Sequence, residues 1–271
     1  MDVSIVIPVF NQLHFTRICL ESLVKTLPCC AEIIVIDNGS SDGTAEYLSG
    51  CTNIRLIQNE GNKGCATAWN QGVKAASSSW IAVLNNDIVL PANCFEGLLD
   101  FAEEKKADIV SPALREGDFN YRFEEYAKDF MVKMRNVSRM GMAHGIFFIV
   151  KERVFDQIGL FDENFLIGQF EDTDFFRRAQ NNGFQLGITG RSFIHHFGSV
   201  TQRSIKNNHM SRPYEQKNRA YFHNKHHLTI GRRFIEKRRS KLQALYWRLS
   251  ERTLHKHTLF EKWIDGRLHY F

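Results

Sequence analysis

Over the first ninety residues, short runs of aliphatic and β-branched residues alternate with stretches of helical spacing, and this alternation constrains the fold more than any other feature of the chain. Val3–Val9, Ile33–Ile36, Ile54–Ile57 and Trp80–Leu84 read as strands, and Phe15–Leu27, the stretch N-capped by Asp42, and Cys65–Ala76 read as helices. Strands separated in this way are joined by βαβ crossovers, which implies an α/β chain with a Rossmann-like, mostly parallel sheet flanked by helices. Further on, Ile146–Val150 and Leu186–Thr189 read as strands, the latter followed by Arg191–Thr201, and Glu171–Asn182 reads as a helix stopped by Gly183. The polar, irregular residues 115–140 are expected to form a mobile loop or short helices over a site.

In such sheets ligands bind beyond the carboxyl ends of the strands. Asn11-Gln12 follows the first strand, the turn from Asp37 to Asp42 follows the second, and Asn85-Asn86-Asp87 follows the fourth. One polar cluster is an ordinary turn; three at three strand exits point to a ligand. Asp37 can accept the imide N–H of a uracil- or thymine-like base, and its structural alternative is an Asx-turn that ends the strand. Asp87 with two amide neighbours suits a weak, open site for Mn2+ or Mg2+, which takes its other ligands from a diphosphate and water. Glu171, Asp172 and Asp174 open a helix, where acids favour the macrodipole, but three acids in four residues exceed what capping needs. A carboxylate there can serve as general base towards a hydroxyl. His195 and His196 can complete a metal site that has one carboxylate, or stand as half-buried polar residues.

A chain of 271 residues fits one large domain, or one domain with a short extension. Many of its 22 Phe fall within residues 119–200, as core or as aromatic walls of a site. The first apolar run lacks a basic leader, and no stretch approaches the roughly 18 apolar residues of a membrane span. Six cysteines, Cys19, Cys29, Cys30, Cys51, Cys65 and Cys94, show no paired metal spacing and read as reduced thiols of a cytoplasmic protein.

Taken together and in order, these motifs resemble family 2 glycosyltransferases of the GT-A fold. Ser4–Asn11, Ile33–Thr44 and Asn59–Gly64 resemble the opening of that family, and Ala82–Asp87 stands where it carries its DxD motif. Gly159–Phe165, Glu171-Asp172 and His195–Ser199 resemble the second half of its rhamnosyltransferase-like branch. The resemblance implies a GT-A catalytic domain over residues 1–205, with a nucleotide-sugar-binding half at 1–110 and an acceptor-binding half at 111–205. It implies that Pro8, Val9, Asn11, Asp37, Asn62, Lys63, Asn85 and Asn86 bind the nucleotide sugar. Asp87 and one of His195 and His196 would meet the metal or diphosphate, and Asp172 would be the base of an inverting, in-line displacement. Asn85 departs from the pattern by replacing the first acid of DxD, which implies weak metal affinity.

The reading that follows is an inverting, metal-dependent hexosyltransferase of surface polysaccharide or glycolipid assembly. It takes a dTDP-, UDP- or GDP-linked sugar to a glycan or lipid-linked acceptor. A non-catalytic nucleotide-sugar or glycan-binding domain on the same fold is the alternative.

Charge separates the last part of the chain from the rest. Residues 231–271 hold eleven Lys and Arg against four acids, a net +7, so the remainder of this +5 chain carries −2. A near-neutral body without a recognition motif argues against specific nucleic-acid binding. Residues 206–271 are expected as a basic helical extension in which Ile235, Leu242, Leu245 and Leu249 share one face. With Arg238, Arg239, Lys241 and Arg248 around that stripe and Trp247 and Trp263 at headgroup level, it is expected to rest on the anionic inner face of the cell membrane. Packing on the catalytic domain, or on a second subunit in a homodimer, is the alternative.

Overall fold

The computed structural model describes residues 2–27, 31–198 and 213–271. The expectations that rest on Cys29, Cys30, Ser199 and Thr201, and the boundary at 205, lie outside these residues.

The alternating first part folds as its pattern requires. β1 (Val3–Val9), β2 (Glu32–Asp37), β3 (Arg55–Gln58) and β4 (Trp80–Leu84) are linked by helices α1 (Leu13–Val24), α2 (Thr44–Ser49) and α3 (Cys65–Ala75). β1 pairs in parallel with both β2 and β4, and β2 with β3. Nearly every residue of β1, β2 and β4 is buried, because helices cover both faces of the sheet. One face packs Ile5, Ile7 and Val35 against α1 and α4 (Cys94–Lys105); the other packs Val6, Ile34 and Ile36 against α3. Asp42 sits one residue before the helix cap, where it accepts the Thr44 N–H at 3.2 Å and reaches across to the Leu13 N–H at 3.1 Å.

Beyond β4 the sheet becomes mixed. β5 (Ile88–Val89), β6 (Ile109–Glu116), β7 (Ser138–Met140), β8 (Phe147–Lys151) and β9 (Leu186–His196) join it, and β8 runs antiparallel between β4 and β6. β9 lies parallel to β6 along its whole length, with an irregular register at Pro112/Ala113, and β5 and β7 pair antiparallel to it. Of the two expectations for residues 115–140, the helical one holds, but the helix packs on β9. These residues hold α5 (Phe123–Met134), whose Phe123, Ala127, Phe130 and Met134 recur at helical spacing and pack on Phe193 and Ile188 of β9. α6 (Glu152–Ile158) and α7 (Glu171–Asn181) follow, and Gly183, at φ 83°, ends α7 as expected.

The basic tail is only partly helical. α8 (Pro213–Lys225) and α9 (Ile230–His255) precede two strands, β10 (Phe260–Ile264) and β11 (Arg267–Tyr270). β10 adds to the sheet parallel to β6, so the order runs β11-β10-β6-β8-β4-β1-β2-β3. The physical reason is the Asp265-Gly266 turn, where both residues take positive φ, 49° and 72°, as a two-residue hairpin requires. The base of α9 is tied down by Arg139, which donates two 2.8 Å bonds to the buried Glu251 carboxylate and a third to the Phe271 carbonyl. Trp247 and Trp263 both turn towards the fold, over Arg139 and Arg115 respectively, and not towards a headgroup layer.

Candidate active site

A cleft of about 580 Å3 opens at the carboxyl ends of β1 and β4. Pro8, Val9 and Phe10 line it from β1, and Asn85, Asn86 and Asp87 from the turn between β4 and β5. Asn62 contributes from the loop before α3, Cys65 and Trp69 from α3 itself, and Glu171, Asp172 and Thr173 from the start of α7. The sequence-expected residues Pro8, Val9, Asn62, Asn85, Asn86, Asp87, Glu171, Asp172 and His196 are thus brought together. Asn11, Asp37, Lys63, Asp174 and His195 are not among the lining residues.

Each of those five has another place. The Asp37 carboxylate accepts the Ser40 N–H at 3.0 Å, an Asx-turn at the end of β2. Asn11 ties the first loop to the second, taking the Ser41 N–H at 2.7 Å. Lys63 is exposed and only its backbone N–H, bound to Asn38, is fixed. Asp174 is fully buried against Arg178, Lys225 and His226, each at 2.8 Å. His195 points to the far side of β9, where Tyr121 bonds its Nδ1 at 3.1 Å and Phe119 and Phe197 enclose the ring. Burial, then the charges of His196 and Arg115, push its pKa down to about 3, so it is a neutral core histidine.

His196 has the opposite environment. Burial alone would lower its pKa, but Asp87 and Glu116 outweigh that and hold it up at about 9. Its Nε2 lies 3.4 Å from Asp87 Oδ1 and its Nδ1 3.3 Å from Glu116 Oε2. The β5–β9 pairing brings this about, since it places Ile88, next to Asp87, opposite His196. Asn86 fixes the same turn from behind by donating to Thr16 Oγ1 at 2.9 Å. Among the described residues no three His, Cys, Asp or Glu side chains form a metal cage. A carboxylate and an imidazole converging on a cleft nevertheless fit a hard divalent cation that takes its remaining ligands from a diphosphate and water.

The second acidic pair sits on the α7 side. Burial and then the Asp172 charge raise the Glu171 pKa to about 7, and burial raises that of Asp172. Glu171 Oε2 is buried without a hydrogen-bond partner. Asp172 Oδ1 accepts the Thr173 N–H at 2.7 Å, which fixes the carboxylate at the start of the helix. The loop before α7 is strained: Ile167, Gln169 and Phe170 all take positive φ, 60°, 78° and 76°. Asn218 of α8 holds it with four bonds, to the Leu166 N–H and the Leu166, Gly168 and Gln169 carbonyls.

Asn218 is one of several site residues the sequence reading missed. Asn38 is another: it is buried, and its amide joins Asn59, Asn62, Lys63 and Gly64 into one loop beyond β2. Its signal was its place beside Asp37 in the same turn. Glu116 and His144 were hidden by the unread strand β6. His144 is held neutral, its pKa lowered to about 4 by burial, while its Nε2–H donates to the Pro112 carbonyl at 2.8 Å. Trp69 was read only as part of a helix, and Tyr214 stands at the start of α8, in a stretch where the sequence offers no motif.

The family model described as "Glycosyl transferase family 2" matches residues 4–165, more than half of the chain. Glycosyltransferase GlyG of Streptococcus pneumoniae is 29% identical over 138 residues, covering 48% of this chain and 46% of that protein. Among solved structures, S. aureus TarS 1-349 in complex with UDP superposes with a TM-score of 0.59 at 17% identity, over 73% of this chain and 60% of that one. GalNAc-T7 with UDP, GalNAc and Mn2+ gives 0.59 at 16% identity, over 73% and 44%. These likenesses establish the GT-A fold, and the chain spans less than two thirds of the length of each of the three.

Proposed function

The chain belongs to glycosyl transferase family 2, and from that premise we propose that it moves a sugar from a nucleotide-diphosphate donor to an acceptor hydroxyl, inverting the anomeric centre. The observation that carries this reading is one cleft lined at once by the Asp87–His196 pair and the Glu171–Asp172 pair. The strand-exit loops from Pro8 to Phe10 and around Asn38 and Asn62 take the nucleotide, with Asn11, Asp37 and Lys63 supporting that end. UDP, present with TarS and GalNAc-T7, is the first donor nucleotide to test, ahead of dTDP and GDP. Asp87 and His196 would hold Mn2+ or Mg2+, which supplies charge neutralisation at the departing diphosphate. Asp172, its basicity raised by burial, takes the proton of the acceptor hydroxyl as it attacks from the face opposite the diphosphate. Asp174, locked in its ion pairs, keeps α7 in place and leaves the base role to Asp172. The motifs of the second half favour the rhamnosyltransferase-like branch and a glycan acceptor.

The same proposal includes a cytoplasmic enzyme resting on the inner membrane face. Ile235, Leu242, Leu245 and Leu249 are exposed, at 67%, 69%, 43% and 58%, so the stripe does not pack on the catalytic domain. Arg238, Arg239, Lys241 and Arg248 flank it, and each basic residue near an anionic surface contributes about 1 kcal/mol. No helix among the described residues is long and apolar enough to cross a membrane. A lipid-linked acceptor fits this placement. A thermal-shift panel of nucleoside diphosphates with Mn2+ tests the donor reading, because a bound nucleotide raises apparent stability by mass action.

A further inference from the structure

We propose that Glu116 is the positioning residue of the cation end of the cleft, and that Lys262, from the last hairpin of the chain, holds it there. The inference rests on the reading of Asp87 and His196 as cation ligands.

The sheet register sets three residues in a row. Glu116 is the Cα partner of His196 across β6–β9 and of Lys262 across β6–β10. Directly opposite positions in neighbouring strands project to the same face, so the three side chains meet. Glu116 Oε2 lies 3.3 Å from His196 Nδ1 and its Oε1 2.5 Å from Lys262 Nζ. A carboxylate can only accept here, so Nδ1–H donates, and Nε2 is the atom left facing Asp87 Oδ1 at 3.4 Å. A histidine that binds a metal through one ring nitrogen commonly donates from the other to a carboxylate, which fixes both tautomer and ring orientation. Gly198 leaves room for this arrangement, since a Cβ there would stand 3.1 Å from Glu116 Cγ. His195, one residue away on the other face, has a tyrosine hydroxyl and no carboxylate at its Nδ1.

Neither Glu116 nor Lys262 touches the reacting atoms in this account. Their effect passes through the imidazole, so it is expected in cation affinity before it is expected in turnover. Lys262 also lies outside residues 4–165, so the C-terminal hairpin, distant in sequence, contributes to the orientation of the site.

The test is Mn2+ binding by the 271-residue chain, followed by electron paramagnetic resonance of the free ion, with melting temperature recorded for each variant. Glu116→Ala is expected to weaken Mn2+ binding about tenfold or more, in the range typical for the loss of such a carboxylate. Glu116→Gln, which keeps an acceptor but not the charge, is expected to fall between Glu116→Ala and wild type. Lys262→Met is expected to give a smaller loss in the same direction. If Glu116→Ala fails to fold, the isosteric Glu116→Gln carries the decision. His196→Ala separates the two levels of the claim. A His196→Ala chain that binds Mn2+ as wild type does overturns the ligand reading and this proposal with it. A weakened His196→Ala beside wild-type affinity in the Glu116 variants overturns this proposal alone.

Discussion

Gly145 and Asp172 stand so close that a Cβ on Gly145 would lie 2.7 Å from the Asp172 Cβ. The approach is backbone against the root of a side chain, so it cannot be relieved by swinging a flexible end aside. Gly145→Ala is therefore expected to shift the candidate base while leaving the sheet intact. A displacement of about 1 Å at a reacting group costs on the order of 100-fold in rate. Turnover should fall by about that factor with little change in melting temperature, as measured by steady-state kinetics and differential scanning fluorimetry. Wild-type turnover in Gly145→Ala would separate Asp172 from the chemistry.

Removing the cation donors should act differently on the two neighbouring histidines. Excess EDTA and Asp87→Ala are each expected to reduce transfer sharply, with Mn2+ restoring the EDTA-treated wild type. His196→Ala should raise the Mn2+ concentration needed for half-maximal rate. His195→Ala should instead lower thermal stability, because it deletes a ring packed among Phe119, Tyr121 and Phe197, and should leave the Mn2+ requirement where it was. Full activity in EDTA would take the cation out of the mechanism.

Glu171 makes stability depend on pH in a definite direction. Its folded-state pKa, about 7, lies above the ordinary 4.5, first through burial and then through the Asp172 charge. Below pH 4.5 both folded and unfolded chains hold the proton, and the residue costs nothing. Between about 4.5 and 7 the unfolded chain releases it first, so stability is lost as pH rises. Glu171→Gln should accordingly gain in melting temperature over wild type as pH goes from 4.5 to 7.5. Equal gaps at both ends of that window would show that the carboxyl is not held protonated by the fold.

The exposed stripe of α9 predicts vesicle binding. Leu242→Glu with Leu249→Glu should abolish co-sedimentation with vesicles containing phosphatidylglycerol while leaving the melting temperature within a degree or so of wild type, because neither side chain packs on the fold. Deleting the tail is the poorer test, since β10 and β11 belong to the sheet. Unchanged sedimentation in the double variant contradicts the membrane reading, and a fall from dimer to monomer assigns the stripe to a second subunit.

The first half of the fold was legible because it is local: strands of four to seven residues alternate with helices, and each exit loop follows its own strand. The second half was not, for physical reasons that can be named. β6 carries Pro112, and β9 bulges after Thr189, so both break the simple strand pattern. Gly190 looks like a strand end in the sequence, yet it is required because a Cβ there would stand 2.6 Å from the Met134 Cβ. The Asp265-Gly266 turn was a hairpin signal, but the helical stripe before it and the high charge drew residues 260–270 into the same helix. Asp87, His196, Glu171 and Asp172, which line the cleft, stand at element ends, where residue type and position can be read from the sequence. Glu116 and Asn218 were out of reach, because their places come only from registers and packing between segments 49 or more residues apart.

The most direct measurement is release of nucleoside diphosphate from a panel of UDP-, dTDP- and GDP-sugars with Mn2+, by wild type and by Asp172→Asn. The account predicts that wild type turns over a subset of the panel, and that Asp172→Asn binds the same donors with similar affinity but is slower by about 10²–10⁴. More than a tenth of wild-type turnover in Asp172→Asn would remove it as the base. Tight donor binding without turnover by wild type, with acceptor present, would contradict the enzyme reading and leave a nucleotide-sugar-binding domain.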